Sequence, residues 1–142
     1  MKKLYLDIDG VLLGKDSLND VKVVLARHAR EFLTYCMSHF DCFWLTTNAP
    51  RGETANIERV FKAYVDEALM KLIKTIRPAV WQTAKTEAID FTTDFYWIED
   101  SILAYEKDVL RKNNALHRWI QIDTRKKPDD LARGLSILRG LK

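Results

Sequence analysis

Cysteine is scarce in this chain of 142 residues, limited to Cys36 and Cys42. Two cysteines so closely spaced, with no secretion signal ahead of them, exclude a disulfide framework and match no zinc-ligand pattern. They read as free thiols in a reducing cytoplasm. Glycine and proline are sparse as well, five and three residues, and no stretch gathers them into a linker or repeat. No apolar run reaches the ~20 residues that span a bilayer. The segment after Met1-Lys2-Lys3 is too short and too acidic for a signal peptide, so no membrane partner is expected. Neither sign of charge dominates, and a net charge of +3 neither demands nor excludes an anionic macromolecule. Glycine-rich phosphate loops are missing too. Gly14-Lys15 is followed by Asp16, and the earlier glycine position of a P-loop holds Asp9. No Gly-x-Gly-x-x-Gly follows the first strand, which excludes a dinucleotide fingerprint.

What is present describes a globular domain. Apolar residues make up 47% and charged residues 30%, and the length suits one core, a single domain over 1–142. Strand and helix patterns alternate. A strand at Leu4–Leu6 is followed by an irregular connection over Val11–Asn19. A helix is expected from Asp20 to Ser38, with Val21, Val24, Leu25, His28, Phe32 and Leu33 on its inward stripe. Cys42–Leu45 reads as a buried strand, Glu53–Tyr64 as a helix, and Val65–Thr75 as its bent continuation. Pro78 demotes Ile76–Trp81 to an edge piece. A short helix at Lys85–Asp90, a strand at Phe95–Ile98, a helix at Ile102–Asn113, a strand at Arg118–Ile122 and a helix from Pro128 to Leu138 complete the chain. This alternation predicts a three-layer, Rossmann-like α/β fold with a mostly parallel sheet and the first strand at its centre.

In such sheets ligands sit outside the carboxyl ends of the strands, and the reactive residues fall there. Asp7 and Asp9 leave the first strand on the same side with Ile8 turned away. Two carboxylates so close repel each other unless a cation intervenes, which suits a hard divalent ion such as Mg2+. Gly10 lets the chain bend directly after them. Thr46-Thr47-Asn48 end the second strand, Glu99-Asp100 end a later one, and Lys85 reaches the same rim.

In order and in type these residues resemble the haloacid dehalogenase (HAD) superfamily of aspartate-nucleophile phosphatases. Asp7-Ile8-Asp9-Gly10-Val11-Leu12 matches its first motif, Phe43-Trp44-Leu45-Thr46-Thr47 its second, Lys85 its third and Trp97-Ile98-Glu99-Asp100 its fourth. The family usually has Asp or Gly where Glu99 stands. The resemblance implies a capless HAD fold and a Mg2+-dependent phosphomonoester hydrolase acting through an aspartyl-phosphate. Asp7 would be the nucleophile, Asp9 the general acid and base, and Lys85 the neutralising cation. Thr46 or Thr47, with Asn48, would hold the phosphoryl group. Asp7, Asp9, Glu99 and Asp100 would hold the metal.

The basic stretch Arg125-Lys126-Lys127 and the missing cap point toward a large or highly anionic phosphorylated substrate, leaving nucleic acid and a homo-oligomer open. A competing reading is a non-catalytic HAD-fold protein that binds a phosphorylated partner; retention of Asp9 argues against it. A response-regulator receiver is excluded, because its phosphorylated Asp would stand between the acid pair and the Thr. Trp44 and Trp97 read as sheet core, and His28, His39 and His117 as structural or surface residues.

Overall fold

In the computed structural model, which describes residues 1–141, strands and helices alternate as the sequence pattern requires. β1 (Lys3–Leu6) leads into an antiparallel hairpin of β2 (Leu13–Gly14) and β3 (Val24–Leu25), then α1 (Ala29–His39) and β4 (Asp41–Trp44). Next come α2 (Thr54–Phe61), α3 (Glu67–Lys74), β5 (Arg77–Pro78) and a 3-10 turn over Lys85–Ala88. β6 (Phe95–Glu99), α4 (Ala104–Lys112), β7 (Trp119–Gln121) and α5 (Asp130–Gly140) follow. The main sheet has five strands in the order β5-β4-β1-β6-β7, and every pairing in it is parallel. The first strand is central, as expected.

Side-chain alternation builds a core on each face of this sheet. Leu4 and Leu6 of β1, Trp44 of β4 and Ile98 of β6 join Phe32 and Leu33 of α1, Phe61 of α2, Ile73 of α3 and Leu135 of α5 on one face. Tyr5, Leu45, Phe95 and Trp97 meet Ile89 and Leu110 on the other. Trp44 and Trp97 are fully buried, so both tryptophans are core residues. Register then sets the carboxyl edge of the sheet. Leu6 pairs with both Trp44 and Ile98, so Asp7, Leu45 and Glu99 emerge level with one another.

Several boundaries differ from expectation, for local reasons. The helix expected from Asp20 begins only at Ala29. Its first half is the hairpin, with Leu13 opposite Leu25 and Gly14 opposite Val24. Val21, assigned inward, is 93% exposed. The β-branched run Val21, Val23, Val24 resists helix formation, and His28 takes a left-handed conformation, φ 69°, immediately before the helix. The bent helix after Tyr64 is instead a fresh start, capped where Asp66 accepts the Leu69 N–H at 2.9 Å. Pro78 does lie in an edge strand. Both cysteines are free and buried, and burial pushes the Cys42 thiol up to about 12. Among the described residues no helix is long and apolar enough to cross a membrane.

The β7–α5 connection is held by a buried carboxylate. Asp130 accepts Arg133 Nε at 2.8 Å, Arg133 Nη2 at 3.0 Å and the Asp123 N–H at 2.9 Å. Burial works to raise its pKa, but the Arg133 and Asp123 hydrogen bonds outweigh burial and hold it below the usual carboxylate range. A depressed carboxylate stabilises the fold above its unfolded pKa, and that contribution is lost as pH falls through the folded value. Asp130→Asn is therefore expected to lower unfolding free energy by about 2 kcal/mol at pH 7. The gap from wild type should narrow below pH 3.8, the ordinary value, as urea melts at neutral and acid pH would show.

Candidate active site

The carboxyl edge of the sheet gathers three acids around one lysine. Asp7, directly after β1, and Glu99, the last residue of β6, are both buried. Lys85 Nζ lies 2.5 Å from Glu99 Oε2 and 3.4 Å from Asp7 Oδ1. Asp7, Glu99 and Asp100 each offer a carboxylate oxygen within 4.8 Å of the others. Lys85 comes from the 3-10 turn, whose N-terminus Glu87 secures by accepting the N–H groups of Gln82, at 2.9 Å, and Ala84, at 3.0 Å.

Charge is unbalanced here. Burial opposes the Lys85 charge, but Asp7 and Glu99 together outweigh it and hold the ammonium pKa above its ordinary value. Burial, reinforced by Asp7, pushes Glu99 up to about 11, and Lys85 offsets this only in part. Burial and the neighbouring Asp7 carboxylate thus both favour the neutral form of Glu99. Three oxygen ligands with surplus negative charge form a donor set suited to a hard divalent cation.

The second strand supplies a different set of contacts. Thr46 is fully buried, and its Oγ1 accepts the Asn48 backbone N–H and the Asn48 side-chain Nδ2, each at 3.1 Å. The same Nδ2 donates to Asp9 Oδ2 at 2.9 Å. Asn48, expected to touch substrate, therefore also orients Asp9. Thr47 is exposed and faces a cavity of about 250 Å3 shared with Lys85 and Glu99. A larger cavity of about 760 Å3 lies elsewhere, along α1 and Arg139, away from the acids.

Backbone geometry keeps the acids together. Gly10 has φ +78°, and a Cβ built there would overlap Asp100 Oδ2. Beyond it the chain forms a tight turn, with the N–H groups of Leu12 and Leu13 both donating to the Ile8 carbonyl at 2.9 and 3.0 Å. Thr124, just past β7, fastens this turn: its hydroxyl donates to the Val11 carbonyl at 3.0 Å and its N–H to the Gly10 carbonyl at 2.8 Å. Arg125 follows, with Nη1 3.8 Å from Asp100 Oδ2. Sequence reading did not single out Thr124. Its only signal was a hydroxyl residue just beyond a strand's carboxyl end.

The structure thus brings Asp7, Lys85, Glu99 and Asp100 into one cluster and joins Asp9, Thr46 and Asn48 beside it. Leu103 stands at the N-cap of α4, so neither Glu99 nor Asp100 caps that helix. No family model, curated protein or solved structure matches the chain.

Proposed function

We propose that this protein is a phosphomonoester hydrolase of the HAD type that forms an aspartyl-phosphate on Asp7 and uses Mg2+. One observation carries the reading: a buried aspartate at the end of the central strand, paired with Lys85 at 3.4 Å inside a three-acid cluster. A carboxylate nucleophile needs no base to activate it. Asp7 attacks phosphorus and the bond to the leaving oxygen breaks, with Asp9 donating a proton to that oxygen. Water then attacks the phosphorus of the acyl-phosphate, gives its proton to Asp9, and phosphate departs as Asp7 is restored.

The remaining side chains position and neutralise. Lys85 fixes Asp7 and offsets charge on the transferring group. Thr46 Oγ1 already accepts two N–H groups from Asn48, so its own O–H is the donor it can offer a phosphoryl oxygen. Asp7, Asp100 and Glu99, with the Asp9 carbonyl, would hold Mg2+. When bound, the ion supplies positive charge that eases approach of one anion to another.

Phosphate release from a panel of phosphomonoesters tests the reading. Turnover is expected with Mg2+ and none in excess chelator. Full activity in chelator overturns the proposal, and tight phosphoester binding without turnover favours the non-catalytic reading.

A further inference from the structure

The 250 Å3 cavity beside Lys85 has walls unlike the rest of the site. Trp81 forms one of them and is held twice. Its backbone N–H donates to the Pro50 carbonyl at 2.8 Å, and its indole N–H donates to the Thr46 carbonyl at 3.4 Å. A flat ring is thereby fixed to Thr46, whose hydroxyl accepts from the same Asn48 side chain that donates to Asp9. Ala84 and Leu103 add apolar wall, and Thr47, Thr83, Ser101 and Glu106 bring polar groups to its edge.

A second observation points to the same place. Leu103, part of the cavity wall, is 67% exposed; Tyr105, two positions on from it, and Val80, next to Trp81 in sequence, are 64% and 55% exposed. Large apolar side chains left in water next to a charged rim mark a ligand or partner surface. The cavity is poorly suited to a polyanion. Lys85 is its cation and is already engaged by Asp7 and Glu99, while Glu106 adds a buried acid. Its volume fits something small, since about 150 Å3 of apolar space accommodates benzene.

We infer that this cavity is a leaving-group pocket for one flat ring, stacked on Trp81, which makes the substrate a small aryl-type phosphomonoester. The inference rests on the phosphatase reading above. It departs from the large anionic substrate suggested by the Arg125–Lys127 stretch.

The test compares kcat/KM for phenyl phosphate and ethyl phosphate in wild type, Trp81→Ala and Leu103→Ser. The phenyl-to-ethyl ratio is expected to fall about tenfold in Trp81→Ala, chiefly through KM, and severalfold in Leu103→Ser. A serine at that N-cap position favours the helix, so the second variant carries the test if the first fails to fold. In parallel, the indole N–H resonance of Trp81 is followed by NMR with Mg2+ and either phenylphosphonate or methylphosphonate. A shift with phenylphosphonate alone is expected. An unchanged ratio in the folded variants, equal responses to the two phosphonates, or a preference for a 5′-phosphorylated oligonucleotide over phenyl phosphate overturns the pocket. Absence of all turnover with the selective indole shift intact overturns the phosphatase reading and leaves the pocket standing.

Discussion

Asn in place of Asp7 is expected to abolish phosphate release, with a loss on the order of 10^4-fold or more, the scale that accompanies removal of a covalent nucleophile. The amide matches the carboxylate in shape, but it is a poor nucleophile and cannot carry the phosphoryl group. The fold should survive, because Asp7 stands beyond the last residue of β1 and its backbone N–H bonds the Ile98 carbonyl at 3.1 Å whatever the side chain. The change also removes one negative charge from a crowded cluster. Circular dichroism and thermal melts should therefore stay close to wild type while turnover disappears. Retained activity would show that phosphoryl transfer, if it occurs, does not pass through Asp7.

Gly10→Ala is expected to be nearly as severe, by a route that touches no reacting atom. A left-handed φ costs a non-glycine residue about 1–2 kcal/mol. The added methyl also needs the space held by Asp100 Oδ2. Asp100 must swing away, and the three-acid cluster opens. The expected result is a lower Tm together with weakened Mg2+ affinity, so that activity needs more Mg2+ and recovers only partly when it is high. A variant with wild-type Mg2+ affinity would show that Asp100 is not among the ligands.

Much of the candidate site was legible because strand order and the carboxyl-edge rule place residues without knowledge of any contact. The pairing of Leu6 with Trp44 and Ile98 brings Asp7, Thr46, Glu99 and Asp100 to one rim, and Lys85 reaches Asp7 and Glu99 there from the 3-10 turn. The hairpin was not legible. Val21, Val24, Leu25 and His28 satisfy a helical spacing as well as a strand pairing, and only the partner strand at Leu13–Gly14 decides between them. Contacts between distant loops were equally hidden. The Asn48 bond to Asp9 spans 39 positions and the Thr124 bond to Val11 spans 113. Neither leaves a periodic trace. Trp81 leaves no such trace either: it follows the two-residue edge strand that contains Pro78, where no strand or helix period assigns its ring to a face.

The central place of β1 imposes an order on biosynthesis. One of its edges is covered once β4 has been made, but the other waits for β6, whose pairing begins at Phe95. At about 5–20 residues per second, the interval from Leu6 to Phe95 lasts on the order of 5–20 s. Throughout it the nascent chain carries an exposed strand edge, open to unwanted pairing. Asp7 spends the same interval without Glu99 and Asp100, so the emerging polypeptide has no assembled acid cluster with which to capture a divalent ion. Assembly of the three-acid cluster and closure of the sheet therefore belong to one event, the docking of β6 against β1.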